Sequence, residues 1–297
     1  MLIKFNELLA DALENHYAIV YFEAWDVYSL EAVLEAAEQL NNPVILGFGG
    51  AMMDQAWMDN GAIERLGAMG LATANASTVP VSFILNEVKT FSQIIRGINS
   101  GFNAVMLDTS DLPFEENLAL TSKVVDVAHA VGVGVESELG VLPSGSLPTS
   151  DAELNLTDPQ QAARFVAETG VDALSVSIGN AHLLTEGYAK IDLDLLAEIH
   201  RAVNIPLVVH GGSGYPESAI SDSITHGVAK VNLGTAMKTA FLDGVTDAIK
   251  RLPKDYDIQD VLGSRKEMDV LQQGKNRVRD EVAYRMKLWK PETLLRR

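Results

Sequence analysis

The stretch NAVMLDTSDLPFEENLALTSKVVDVAHAVGVGVESEL, residues 103–139, changes its hydrophobic period twice. It opens on a short apolar run, NAVMLD (103–108), passes through a helical pattern, FEENLALTSKVVDVAHAV (114–131), and returns to a β-rich run, VGVESEL (133–139). Parallel neighbours cannot be joined by a tight hairpin, so two short strands separated by a helix read as a parallel pair with a crossover. Working outward, the same alternation predicts strands at 18–23 (AIVYFE), 43–48 (PVILGF), 81–86 (VSFILN), 173–178 (ALSVSI), 206–210 (PLVVH) and 229–233 (AKVNL). With the quoted pair that makes eight, and helical patterns such as SLEAVLEAAEQL, SQIIRGINS, DPQQAARFVAETG and DLDLLAEIHRAV lie between them. Eight βα units predict an α/β fold, a TIM (β/α)8 barrel, as a single domain over residues 1–297. A doubly wound open sheet would show fewer strands and a Gly-rich first turn, and neither is present. An inserted loop at about 140–157 and a charged helical tail from about 252 to 297 fall outside the regular units.

Composition narrows the chemistry. The chain is 47% hydrophobic and 21% charged, so it can bury a large core and does not read as disordered. Its 40 acidic and 23 basic residues give a formal charge of -17, which repels phosphate backbones and anionic lipid, so no nucleic acid or membrane partner is expected. The absence of cysteine removes disulfides, thiolate metal sites and a cysteine nucleophile together. The start of the chain lacks the pattern of a signal peptide, and no apolar run reaches spanning length, so a cytoplasmic location is expected.

In such barrels the chemistry sits where strands end. The ends carry Glu23, Asn86 with Glu87, Asp108 with Ser110, Glu136 with Glu138, His210 and Asn232, and His182 follows the sixth strand. His16, His129, His200 and His226 fall in or beside helical patterns and read as surface or packing residues. With no thiolate available, His182, His210 and Glu87 form a candidate set of two imidazoles and one carboxylate for a single divalent metal, suited to Zn, Mn, Fe or Co. HGGSGYP after the seventh strand and NLGTAMK after the eighth pair Gly211, Gly212 and Ser213 with Asn232, Leu233, Gly234 and Thr235 as a candidate phosphate cradle.

These motifs resemble the class II, metal-dependent ketose-bisphosphate aldolases, which include fructose-bisphosphate and tagatose-bisphosphate aldolases. The likeness spans almost the whole chain and is strongest in GFNAVMLDTSDLPFEENLALTSKVVDVAHAVGVGVESELG, TGVDALSVSIGNAH and IPLVVHGGSGYPESAISDSITHGVAKVNLGTAMKTAF. It implies zinc bound at His182 and His210, and a dihydroxyacetone-phosphate unit held by residues 211–213 and 232–235. It further implies that Asp108 and Ser110 match a D-x-S turn, and that Glu136 and Glu138 match an E-x-E strand.

The third strand departs from the family pattern H-L-D-H-G: here it reads I-L-N-E-V from Ile84 to Val88. Asn86 therefore stands at the catalytic aspartate position and Glu87 at the third metal histidine. Leu183 and Glu186 replace a Gly and a Lys, and Glu23 replaces an Asn. An amide can orient a hydroxyl but cannot take its proton, so a carboxylate among Glu87, Glu23 and Glu138 must serve as base. The expectation is a divergent aldolase-type lyase acting on a ketose phosphate or related acidic sugar through a metal-stabilised enediolate. The alternatives are a sugar epimerase or isomerase on the same barrel, and a non-catalytic sugar-phosphate-binding homologue. The resemblance also implies a homodimer or homotetramer.

Overall fold

A computed structural model describes residues 1–145, 155–184 and 187–290. Eight parallel strands close into a barrel in chain order: β1 (Ile19–Ala24), β2 (Val44–Gly49), β3 (Val81–Val88), β4 (Ala104–Leu107), β5 (Gly134–Leu139), β6 (Ala173–Val176), β7 (Leu207–Val209) and β8 (Val228–Leu233). Each begins and ends within about two residues of the run that predicted it. The helices are α1 (Phe5–Glu14), α2 (Val27–Leu40), α3 (Gln55–Trp57), α4 (Ile63–Ala76), α5 (Phe91–Asn99), α6 (Phe114–His129), α7 (Pro159–Thr169), α8 (Leu193–Ala202), α9 (Ile220–Thr225), α10 (Thr235–Lys250), α11 (Ile258–Val261) and α12 (Val270–Trp289).

Local chemistry fixes where the crossovers start. Asp26 caps α2 by accepting from Ser29 N while the Ser29 hydroxyl accepts from Asp26 N, and Thr90 and Gln93 repeat this reciprocal arrangement at α5. Asp158 caps α7 just ahead of Pro159, whose missing N–H costs nothing in a first turn.

Two apolar layers result. Between strands and helices lies the larger one; the second fills the barrel, where Tyr21, Ile45, Ile84, Val208 and Ala229 meet Phe5, Leu8 and Leu9 of α1. Helix α1 thereby plugs the N-terminal end and leaves the C-terminal mouth open for chemistry. At the seam between β1 and β8, Ile19 pairs with Lys230 and Tyr21 with Asn232. Helix α12 packs on α10 and α2 beside this seam, and its Trp289 carbonyl accepts a hydrogen bond from Ala18 N at 3.0 Å.

One irregularity positions the site. Leu85 pairs with Val105, but Val88 pairs with Leu107, so β3 carries one residue more than β4 between the same rungs. Within this bulge Glu87 adopts φ 50°, a left-handed conformation rare for a residue with a side chain. A bulge re-aims side chains, and here it lets Asn86 and Glu87 interact although neighbours on a regular strand face opposite ways. Among the described residues no helix is long and apolar enough to cross a membrane.

Candidate functional site

At the barrel mouth the bulge of β3 meets the loops after β6 and β7. Glu87 Oε1 lies 3.3 Å from His210 Nδ1 and 3.6 Å from His182 Nε2, and the two imidazole rings sit 5.5 Å apart. One ligand atom from each of Glu87, His182 and His210 falls within 4.8 Å of the others, a spacing that a single metal ion can bridge. His182 is positioned by its own backbone, whose N–H donates to Pro143 O and whose carbonyl accepts from Gly145 N. Asn180 ties this loop to β7 by donating through Nδ2 to His210 O at 3.0 Å.

His210 is fully buried and its two nitrogens have different company. Nε2 lies 2.8 Å from Glu136 Oε1, whereas Nδ1 has no hydrogen-bond partner among the described residues and faces Glu87 and Glu138, the latter 3.1 Å away. A histidine anchored through one nitrogen by a carboxylate and presenting the other to a shared cavity has the arrangement of a metal ligand with its supporting carboxylate. The residues present therefore fit a divalent cation.

Charge reinforces the geometry. Burial works against an ionised Glu87, but facing His210, His182 and Lys230 outweighs it and holds the carboxyl at about 2. Burial also disfavours a charged His210, yet the surrounding Glu87, Glu136 and Glu138 raise its pKa well above the usual range, so a metal would compete with a proton at Nδ1. Beneath them Lys230 Nζ lies 2.7 Å from Glu136 Oε2 and also donates to Asn232 Oδ1.

Beside this cluster opens a pocket lined by Tyr21, Glu23, Gly211, Ser213, Asn232, Gly234, Thr235 and Lys238 together with the two histidines and Glu87. The Ser213 hydroxyl accepts from Ala236 N at 3.2 Å, tying the Gly-rich loop to the start of α10. Helix α10 begins at Thr235, so its positive end lies at the pocket wall. Gly211 has φ 75°, and a Cβ there would lie 1.9 Å from the Ala181 carbonyl oxygen. Only glycine fits where the two histidine-bearing loops touch. Burial raises the pKa of Glu23 against the opposing charge of Lys238, with which it forms an ion pair.

The sequence-predicted residues fall into three groups. Glu23, Glu87, His182, His210, Gly211, Ser213, Asn232, Leu233, Gly234 and Thr235 line the pocket. Asn86, Glu138 and Gly212 are buried close behind it: Asn86 Nδ2 donates to Glu87 Oε2 at 2.7 Å, and Glu138 Oε2 accepts from Ser175 Oγ at 3.0 Å. Asp108 is not brought into the pocket, because Lys89 Nζ holds it at 2.5 Å on the rim, with Ser110 donating to its other oxygen. Leu183 lines the pocket with φ 54°, a left-handed backbone at the position where the resembling family has glycine. Glu186, and residues 146–154 of the predicted inserted loop, lie outside the described residues. Sequence reasoning passed over Tyr21, Lys230 and Lys238. A lysine in the middle of an interior strand was the available signal for Lys230.

Comparison with known proteins gives the family and the fold. The family model described as fructose-bisphosphate aldolase class-II matches residues 3–292. The chain is 34% identical over 268 residues to the probable fructose-bisphosphate aldolase of Bacillus subtilis (strain 168), covering 90% of this chain and 93% of that one. To the fructose-bisphosphate aldolase of Geobacillus stearothermophilus it is 33% identical over 270 residues, covering 88% and 91%. Among solved structures, the YdjI aldolase from Escherichia coli K12 superposes with a TM-score of 0.82 at 30% identity over 98% of each chain.

Proposed function

Because the chain belongs to the class II fructose-bisphosphate aldolase family, we propose that it is a lyase that makes or breaks the carbon–carbon bond of a ketose phosphate. The observation that carries this is the convergence of Glu87, His182 and His210 on one point beside an amide-lined pocket. A divalent ion held by those three residues, zinc being the best match to two imidazoles and a carboxylate, would supply a Lewis acid that polarises the substrate carbonyl and stabilises an enediolate.

The chain's own groups do the remaining work. The Gly211–Ser213 loop binds a phosphate through backbone N–H groups with the positive end of α10 beside it, and the Ser213 and Thr235 hydroxyls help to orient it. Asn232 Nδ2, buried and without a partner among the described residues, donates to a substrate oxygen. The Asn86 amide cannot accept the substrate's proton, so the proton passes to a carboxylate. Glu23 suits that role best, since it lines the pocket and burial raises its pKa, whereas Glu87 is held ionised. The Lys238 ammonium balances the negative charge of Glu23 when it is deprotonated, Glu136 supports His210 from behind through Nε2, and Glu138 faces Nδ1 beside Glu87.

Incubation of the zinc-loaded protein with a panel of ketose bisphosphates, followed by NMR in D2O, tests the proposal. Triose release is the expected result. Deuterium exchange with the carbon skeleton intact would favour an epimerase or isomerase, the reading that Asn86 in place of a proton-carrying aspartate keeps in play. Neither outcome, with binding retained, would make the protein a sugar-phosphate binder.

A further inference from the structure

Lys230 is fully buried inside the barrel, and no part of the proposed reaction uses it. Its ammonium touches two acceptors, Glu136 Oε2 at 2.7 Å and Asn232 Oδ1, and lies 5.0 Å from the centre of the Tyr21 ring. Both acceptors touch the site directly. Glu136 meets His210 Nε2 at 2.8 Å through its other oxygen, and Asn232 lines the pocket.

We propose that Lys230 is a positioning residue that sets the hydrogen-bond polarity of both halves of the site, the metal-binding half through Glu136 and the substrate-binding half through Asn232. The logic is that of donors and acceptors. An ammonium has protons and no lone pair, so whatever faces it must accept. Facing Lys230, the Asn232 amide turns its oxygen inward, and its NH2 is the group left for the pocket. That is the atom found buried without a partner among the described residues. Glu136 turns one oxygen to the Lys230 ammonium at 2.7 Å and the other to His210 Nε2 at 2.8 Å, so Nε2 is the donor in that contact. With Nε2 committed as donor, Nδ1, 3.3 Å from Glu87 Oε1, is the nitrogen left to offer a lone pair to a cation once its own proton is displaced. One side chain therefore decides that the pocket presents a donor to substrate and that His210 presents a lone pair to a cation.

The proposal rests on the metal-and-phosphate reading of the pocket, and the experiment separates the two. Zinc affinity is measured by competition with a chromophoric chelator, and dihydroxyacetone phosphate affinity by calorimetry on zinc-loaded protein, so neither readout is turnover. In Lys230→Met both affinities should fall, zinc by roughly tenfold or more, as when a partner of a metal ligand is removed. Because Lys230→Met leaves Glu136 buried without its counter-charge, Lys230→Met/Glu136→Gln supplies a neutral interior that is expected to fold and to show the same two losses. Asn232→Ala should weaken the phosphate ligand alone. Lys275→Met is the control for a merely structural role: Lys275 is also buried and ion-paired, to Glu35 and Glu31 on the outer face of the barrel, and its removal should change neither affinity. If the wild type binds both ligands and the Lys230 variants match it within twofold, the positioning role is overturned and the functional reading stands. If the wild type binds neither, both fall.

Discussion

Gly211→Ala adds one methyl group at the point where the His182 and His210 loops touch. The backbone there has φ 75°, and the new Cβ would lie 1.9 Å from the Ala181 carbonyl oxygen and 2.7 Å from its carbon. A carbon–oxygen contact relaxes at roughly 3.3 Å, so the loops must part by roughly 1.4 Å. Neither can yield freely, because His182 is bonded through its backbone to Pro143 and Gly145, and Asn180 is bonded to His210 O. The left-handed conformation costs an alanine about 1–2 kcal/mol on its own. Together these should lower the melting temperature by several degrees while the barrel still forms. Function should suffer far more. Metal–ligand distances tolerate about 0.2 Å, and a 1 Å misplacement of reacting groups costs about 100-fold in rate. Differential scanning fluorimetry, zinc titration and a triose-release assay on the same preparation read the three quantities. A folded Gly211→Ala protein with zinc affinity and turnover within threefold of wild type would refute the reasoning.

Three further outcomes follow from the same geometry. Glu87→Gln should weaken zinc binding, and in metal-free protein it should remove stability on the order of 3 kcal/mol that the ionised carboxylate contributes above its unfolded pKa, near 4.5. A folded pKa depressed to about 2 means this contribution is lost as pH falls between those values, so denaturation midpoints of wild type and variant should converge from pH 5 to pH 2; a constant gap counts against the assignment. Leu183→Gly should change stability by no more than about 1 kcal/mol, since relief of the left-handed strain offsets the entropy of glycine, while lowering the KM for a phosphorylated ketose by unblocking the pocket wall. Asn86→Asp alone would set two carboxylates where Asn86 Nδ2 now lies 2.7 Å from Glu87 Oε2, so it should gain little, whereas Asn86→Asp/Glu87→His should raise triose release about 100-fold if proton transfer is limiting.

Much of the barrel was legible because its strands are interior, and interior parallel strands read as short apolar runs whatever surrounds them. Helix α4 was less so. Its sequence, IERLGAMGLATANA, carries Gly70 where the Phe83 ring presses close enough that a Cβ would meet it at 2.1 Å, so the packing that demands glycine also weakens the helical signal. Within the site, His182, His210 and the two Gly-rich loops stood out by residue type. The conformation of Glu87 did not, since a bulge depends on how β3 pairs with β4. Lys230 is the instructive miss. Strand alternation puts Lys230 and Asn232 on one face of β8 and Glu136 and Glu138 on one face of β5, and a cation aimed across a barrel at a carboxylate could have been inferred from that pattern.

The seam between β1 and β8 imposes an order on synthesis. The first strand leaves the ribosome roughly two hundred residues ahead of its partner strand, and Trp289, which bonds to the residue just before β1, comes later still. Until β8 emerges the barrel cannot close, and any sheet formed before then has two bare edges, the state in which β-proteins are most exposed to wrong pairing. Glu87 waits in that half-built sheet for His182 and His210, which emerge roughly a hundred residues afterwards. A cation held by those three residues would tie β3 to the loops after β6 and β7 only once all three have emerged, and so would act as a clasp on the finished ring.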